Sequence, residues 1–501
     1  MLQKWNYEAV LSAVCLIWAT ATAAEITVGP YLLDATTESV VIMWHTDEPA
    51  TGCVEFGRDS VREHTWRAVG KTFVHRVVLP GLRPDTRYHY RVRSAGATSP
   101  AYQFETAPKT PLPFTFAVYG DSRSFPDRHG AVIRAMRGSQ PRFVIHTGDL
   151  VGSGTKPELW KPEFFDPAHD LMVRVPFFIA IGNHEDNADL FYQFFNRPKD
   201  RAWWSFNYGN CHFVILNSCR ERSLDGPQVR WLRQDLAANK ATWTFAAFHH
   251  PPVSSASHKS DVELLENWGP ILAENGVDIV FNGHDHTYER SRPIRYDPTG
   301  QLVTYVVSGG GGAPTYSLDK RPWTVNAKSA LHFCEIRVDG GRLEYTVFDD
   351  ERRVIDSTVL TKEDGSRRIR FEPEETPMPV RELRDFAGAD AILTRISNNR
   401  ECRIARDKPI DLEKRWTVAN TLAAPLGIRL TWKVPQGTAW EVFPTKGEIE
   451  LQPGATREMS FHLRGRLDQR EQPPVMILQA RVRGEEFDRR TPLRFHVPKE
   501  K

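Results

Sequence analysis

The chain has 501 residues, too many for one ordinary hydrophobic core; at roughly 100–200 residues per domain about three domains are expected. Hydrophobic residues make up 40% and charged residues 26%, which excludes a disordered chain and a multi-span membrane protein. Lys plus Arg total 65 against 63 Asp plus Glu, so the net charge of +2 predicts no bulk attraction to nucleic acid or to an acidic membrane.

At the start, Lys4 precedes an apolar run from Ala9 to Trp18, and Ala21-Thr22-Ala23 offers small residues for cleavage. This pattern predicts a secretory leader over residues 1–23, an exported protein (periplasmic or extracellular), and no membrane span once the leader is removed. Cys53, Cys211, Cys219, Cys334 and Cys402 would remain. They are too sparse for a disulfide scaffold and odd in number, and pairing of Cys211 with Cys219 across a local loop stays open. Residues 25–107 read as a β module, with VVIMWHT, CVEFG, RVVLP and RYHYRVRS separated by turn-like sequence. GLRPDTRYHYRV resembles the late strands of a fibronectin type III domain, in which Tyr88 would bond its hydroxyl to nearby backbone.

After the joint PKTPLP the rhythm changes. FTFAVYG, RFVIHTG, VPFFIAIG, CHFVILNS, TWTFAAFH, VDIVFNG and VTYVVSG read as strands, with helix-like segments at RHGAVIRAMRG, 226–238 and 259–275. This alternation predicts a layered α/β domain over residues 114–355, closed by a hairpin around Asp339-Gly340-Gly341. Residues 356–383 read as a linker and 384–501 as an immunoglobulin-like β-sandwich. The chain is thus expected to be multidomain α+β, a central layered domain flanked by two β-sandwiches.

Five apolar strands run directly into polar groups capable of holding a metal or a proton: Asp121, Asp149, Asn183 with His184, His249 with His250, and His284 with His286. Ligand sites in α/β sheets lie beyond the carboxyl ends of strands, so these residues form one candidate site. Imidazole, carboxylate and amide oxygens suit hard or borderline cations.

GDS at 120–122, GDL at 148–150, GNHE at 182–185, HHPP at 249–252 and GHDHTYER at 283–290 resemble the calcineurin-like metallophosphoesterases. With a fibronectin-like module in front, residues 25–350 are most similar to the purple acid phosphatases. That resemblance implies an α/β/β/α catalytic sandwich and two metal ions. Asp121 and His286 would hold the first ion, Asp149 would bridge, and Asn183, His249 and His284 would hold the second. It further implies His184 and His258 as catalytic histidines, and a small phosphate monoester attacked by water activated at the ions. Within the pattern, His249 rather than His250 is the ligand.

The sequence departs from the family in two places. The metal-binding tyrosine three residues after the bridging aspartate is Gly152, and the histidine that other metallophosphoesterases carry two residues after the first aspartate is Arg123. An iron(III)-tyrosinate centre is therefore not expected, and divalent Fe, Zn or Mn are. Arg123 is a candidate phosphate contact, and His129 a candidate for the first metal or phosphate. His250 and Tyr208 are candidate pocket residues, as are Trp203 and Trp204, while Tyr288 and Arg290 read as braces of the GHDH loop. Two rival functions remain: a phosphodiesterase, including nucleotide-directed forms, and a binding or adhesion protein with a retired phosphatase core.

Overall fold

Alternating apolar residues build the first strands. In the computed structural model, which describes residues 24–199, 201–363, 368–398, 401–403, 409–466 and 472–496, the amino-terminal module contains β1 (Ile26–Leu33), β2 (Val40–Ala50), β3 (Gly52–Gly57), β4 (His64–Arg67), β5 (Thr72–Leu79), β6 (Arg87–Ser94), β7 (Ala97–Thr98) and β8 (Tyr102–Glu105). The expected leader at residues 1–23 lies outside the described residues. Strand β6 turns Tyr88, Tyr90 and Val92 inward, and the Arg83 N–H donates to the Tyr88 hydroxyl at 2.9 Å, the contact expected of that tyrosine. The Trp44 indole donates to Ser94 Oγ at 2.8 Å, so the largest core side chain keeps its polar atom satisfied.

Three nearly continuous apolar runs follow as parallel strands: β9 (Phe114–Tyr119), β10 (Val144–His146) and β11 (Phe177–Ile179). Strands buried on both faces lose the polar alternation of a half-exposed sheet. Strand β1 lies parallel to β11 with Leu33 opposite Phe177, so β1, β2 and β5 extend the first sheet of the central domain rather than forming a detached module.

A second sheet contains β12 (Trp204–Tyr208), β13 (Cys211–Ile215), β14 (Trp243–Ala247), β15 (Ile279–Asn282), β16 (Tyr288–Ser291), β17 (Ile294–Tyr296), β18 (Gln301–Ser308) and β19 (Thr324–Lys328). The chain then returns to the first sheet through β20 (His332–Asp339), β21 (Arg342–Asp349), β22 (Val354–Thr361) and β23 (Arg370–Glu372). Asp339 pairs with Arg342 across the expected hairpin. Phe116, Phe143, Phe178, Phe213, Phe245 and Phe281 fill the space between the sheets. Helix Pro126–Arg137 covers the outer face of the first sheet and helix Pro227–Ala238 that of the second, giving α/β/β/α layering.

Residues Val380–Asn398 form a helix where the sequence reading placed the end of a linker and the start of a β module. Leu383, Phe386, Leu393 and Ile396 supply its apolar stripe at helical spacing. Prolines just before it and Asp385, Asp390 and Arg395 within it mask that stripe in composition. The helix joins Trp268, Leu272 and Trp323 of the central domain to Trp416, Leu430 and Phe461 of the carboxy-terminal strands in one apolar cluster. Those strands form a three-stranded and a four-stranded sheet, with a further two-stranded pair between Glu401–Arg403 and Arg494–His496. No disulfide joins Cys53, Cys211, Cys219 or Cys334, so Cys211 and Cys219 do not pair. No described helix is long and apolar enough to cross a membrane.

Several histidines are buried for packing. His129 is fully buried, with Nδ1 3.0 Å from the Glu163 carbonyl and Nε2 3.0 Å from the Tyr119 hydroxyl. A carbonyl only accepts, so Nδ1 carries the proton and Nε2 accepts from Tyr119. Burial lowers the pKa of His129 to about 4 and of His332 to about 4, and burial with the charge of nearby His75 lowers that of His45 to about 3. The unfolded chain therefore binds protons that the folded chain resists between about pH 4 and the ordinary histidine value near 6.5. Stability should be fully present above about pH 6.5 and fall as pH drops toward 4, and His129→Gln should flatten that slope. Thermal unfolding across this range measures both.

Candidate metal centre

The carboxyl ends of β9, β10, β14 and β15, with the loop after β11, place their exit residues around one point. Asp121, Asp149 and His249 are fully buried, and one ligand atom of each lies within 4.8 Å of the others. His249 Nε2 is 3.3 Å from Asp149 Oδ1, 3.0 Å from Asn183 Oδ1 and 3.3 Å from His284 Nδ1. His284 Nδ1 is also 3.0 Å from Asn183 Oδ1, and His286 Nε2 is 3.6 Å from Asp121 Oδ1. All six candidate ligands thus converge.

Local backbone makes the convergence possible. Asp121, Asp149 and His284 adopt left-handed backbone, with φ of 59°, 59° and 70°. Such residues cost roughly 1–3 kcal/mol each and cluster where function demands them. Gly182 is required for a different reason: a Cβ there would lie 2.2 Å from Asp149 Oδ1. The glycine run at 309–312 lets a loop touch the same strand ends, and the Gly311 N–H donates to the Gly120 carbonyl at 2.8 Å. A Cβ on Gly311 would meet that carbonyl at 2.3 Å.

The histidines are oriented by carbonyls. His249 Nδ1 donates to Thr147 O at 2.9 Å, His286 Nδ1 to Pro314 O at 2.7 Å, and His184 Nδ1 to Gly152 O at 2.8 Å. Each contact fixes the tautomer and turns the Nε2 lone pair toward the acids, as metal-binding imidazoles require. The facing atoms are mostly acceptors. Burial lowers the pKa of His249, yet Asp149, Asp121 and the Thr147 carbonyl together raise it to about 9. Burial works upward on Asp149, and His249 and His184 outweigh it, holding that carboxyl below the ordinary range. Burial drives the Asp121 carboxyl upward. The surroundings therefore select positive charge at the centre, and the oxygen and imidazole donors fit metal ions.

The other sequence candidates separate. His184 is half-buried at the mouth, with Nε2 3.8 Å from Asp149 Oδ2. His258 is exposed, its ring 4.2 Å from that of His284. Arg123 lies beside the centre, with Nε buried, without a hydrogen-bond partner, and 3.6 Å from Asp149 Oδ2. His250 sits at the rim, its Nδ1 3.0 Å from Ser218 Oγ and its ring 4.4 Å from His284. His129 does not reach the centre, because both its ring nitrogens are spent on Tyr119 and Glu163. Tyr208 is not a pocket residue: it is buried against Phe114 and Phe143, and burial pushes its pKa up to about 12. Trp203 is core, and Trp204 lies under the Arg197 guanidinium at 3.8 Å. Tyr288 and Arg290 both bond Asp356 and so brace the second sheet against the first.

Three residues at the site were not singled out from sequence. Glu185 is fully buried and accepts the N–H groups of Gly182 at 2.6 Å, Leu150 at 2.8 Å and Asp149 at 3.0 Å. Its place in the GNHE motif was the available signal. Glu163 accepts from Gly152 N at 2.7 Å and Ser124 N at 2.9 Å, filling the space beside the missing tyrosine. A Cβ at Gly152 would already lie 3.3 Å from Ser124 Oγ. Tyr316 stacks on His286 with ring centroids 4.1 Å apart, and nothing in the loop's sequence marks it.

Residues 114–288 match the calcineurin-like phosphoesterase family, and residues 30–106 match the purple acid phosphatase N-terminal domain. Residues 114–288 thus form a calcineurin-like phosphoesterase domain. Purple acid phosphatase 18 of Arabidopsis thaliana is 27% identical over 53% of this chain and 65% of its own length. Purple acid phosphatase 23 of the same plant is 30% identical over 48% of this chain and 62% of its own. The chain thus spans a little under two thirds of these relatives. Among solved structures, the purple acid phosphatase PPD1 from yellow lupin seeds superposes with a TM-score of 0.60 at 18% identity, covering 67% of this chain and 74% of that one. PhoD superposes with a TM-score of 0.54 at 14% identity over 71% of this chain and 94% of its own. These two likenesses show the fold.

Glu185→Ala should strand three buried N–H groups at the centre. At about 1–3 kcal/mol for each unsatisfied group, the expected loss is about 3 kcal/mol or more of stability, read by chemical denaturation.

Proposed function

We propose that the chain is a two-ion phosphoesterase that hydrolyses small phosphate monoesters. One observation carries the reading: Asn183, His249, His284 and His286 surround the two buried carboxylates of Asp121 and Asp149, and backbone carbonyls set the tautomers of His249 and His286. Asp121 and His286 would hold one ion, Asn183, His249 and His284 the other, and Asp149 would bridge. When bound, two such cations supply Lewis acidity and a water made nucleophilic at neutral pH.

The chain's own residues would do the rest. His184 stands at the mouth and, in its imidazolium form, would hand the Nε2 proton to the leaving oxygen while Nδ1–H keeps its bond to Gly152. His258 would meet the phosphoryl or leaving oxygen from the opposite loop. Arg123, whose Nε–H has no hydrogen-bond partner, would donate to a phosphoryl oxygen and meet its negative charge. Divalent ions suit this centre better than iron(III), because Gly152 and Glu163 occupy the place from which a phenolate would come. The amino-terminal leader pattern supports an exported enzyme.

Asp149→Asn should lose metal by elemental analysis, together with hydrolysis of monoesters assayed with Mn, Zn or Fe. A variant that keeps its full metal content and its rate would sink the proposal, and a wild-type protein that turns over only matched diesters would move it to the diesterase reading. Arg123→Ala should raise KM for phosphate monoesters about tenfold, equivalent to roughly 1.4 kcal/mol of lost binding, with metal content unchanged.

A further inference from the structure

The two loops that overhang the centre are tied to a single carboxylate on the helix Val380–Asn398. Asp390 is buried. Its Oδ1 accepts from Arg321 Nη2 at 2.8 Å and Nε at 3.0 Å, and from Arg489 Nη2 at 3.4 Å, while its Oδ2 lies 3.7 Å from Lys259 Nζ. Asp319, at the exposed rim, is 3.7 Å from Arg321.

These partners have telling positions. Lys259 is the residue after His258, holds a left-handed backbone at φ 74°, and donates to the Ser255 carbonyl at 3.3 Å. Arg321 closes the loop that carries Tyr316. The His258 and Tyr316 rings are 5.3 Å apart, and Tyr316 stacks on His286. From the inner side, Asp285 accepts the His258 N–H at 2.9 Å and the Ser254 hydroxyl at 2.5 Å. Each loop therefore has an inner attachment at the centre and an outer one at Asp390. Arg489 adds a strand of the carboxy-terminal module to the outer attachment.

We propose that Asp390 is a positioning residue that fixes His258 and Tyr316 over the centre, so that the carboxy-terminal module completes the catalytic site. The proposal rests on the phosphoesterase reading of that site. Without the carboxylate, Lys259, Arg321 and Arg489 lose the anion they share, with only the exposed Asp319 left beside Arg321, and the two loops lose their common anchor. Asp285 keeps its own end of the His258 loop, so the loop should shift without the centre itself coming apart.

The test uses the full chain loaded with metal. In Asp390→Asn, hydrogen exchange of residues 254–261 and 314–321 should rise about tenfold or more over wild type, with β9, β10 and β15 unchanged. Lys259→Met should loosen residues 254–261 alone, and it serves if Asp390→Asn folds poorly. In monoester hydrolysis, Asp390→Asn should lower kcat/KM about 30-fold on its own and no more than about twofold in a His258→Ala background, because residues acting as a unit are not additive. Fully additive losses, or unchanged exchange in both loops, would overturn the proposal. If wild type turns over no ester, the phosphoesterase reading fails, and the exchange measurement still decides whether Asp390 holds the loops.

Discussion

The structure depends on two carboxylates, Asp121 and Asp149, held out of water at the ends of adjacent parallel strands. Two buried negative charges side by side are unstable unless positive charge or hydrogen bonds meet them. Arg123 and backbone N–H groups meet part of that demand, and the rest would fall to cations that the inward-facing imidazoles share with the acids. His249, His284 and His286 arrive with lone pairs aimed inward, Arg123 lies alongside, and the backbone of His284 donates to both Asp121 oxygens at 2.9 and 3.1 Å. The left-handed turns at three of these residues make sense only on this account. Strain at a strand exit is tolerable where it places a ligand that no extended backbone could place.

A third acid supports the first two without facing the centre. Glu185 gathers the N–H groups of Gly182, Asp149 and Leu150, and thereby locks the second and third strand exits to each other. Burial, followed by the charge of Asp149, raises its pKa to about 7. Glu163 does a related task at the exits near Gly152 and Ser124. The departure from the purple acid phosphatase pattern is thus more than a missing ligand. The position beside Asp149 has been rebuilt around a glycine, a glutamate that takes two backbone N–H groups, and an arginine.

The flanking modules are parts of the same body. β1 continues the first sheet, and the helix Val380–Asn398 shares an apolar cluster with both the central domain and the carboxy-terminal strands. This sharing explains why a buried ion-pair group around Asp390 can exist far along the chain from the motifs. Its charges are removed from water only because the surrounding cluster excludes it. Arrangements of this kind contribute more to the selection of one geometry than to stability as such.

What the sequence determined by itself was the local chemistry. Asp121, Asp149, Asn183, His249, His284 and His286 each follow an apolar run that can only be a buried strand, so their place at strand ends was legible residue by residue. Core strands such as FAVYG and DIVFN announce themselves because burial imposes an unbroken apolar composition. The helix at 380–398 stayed hidden because its stripe is interrupted by Asp385 and Asp390, whose partners come from elsewhere in the chain. His129 and Tyr208 were candidates for the opposite reason: each carries suitable atoms at a suitable spacing, and only packing shows that Tyr119, Glu163, Phe114 and Phe143 use them up. Glu163, Tyr316 and Asp390 have no signature at all. Their roles are set by contacts across tens to hundreds of residues, and such contacts are fixed by how the layers stack, a property that no local pattern encodes.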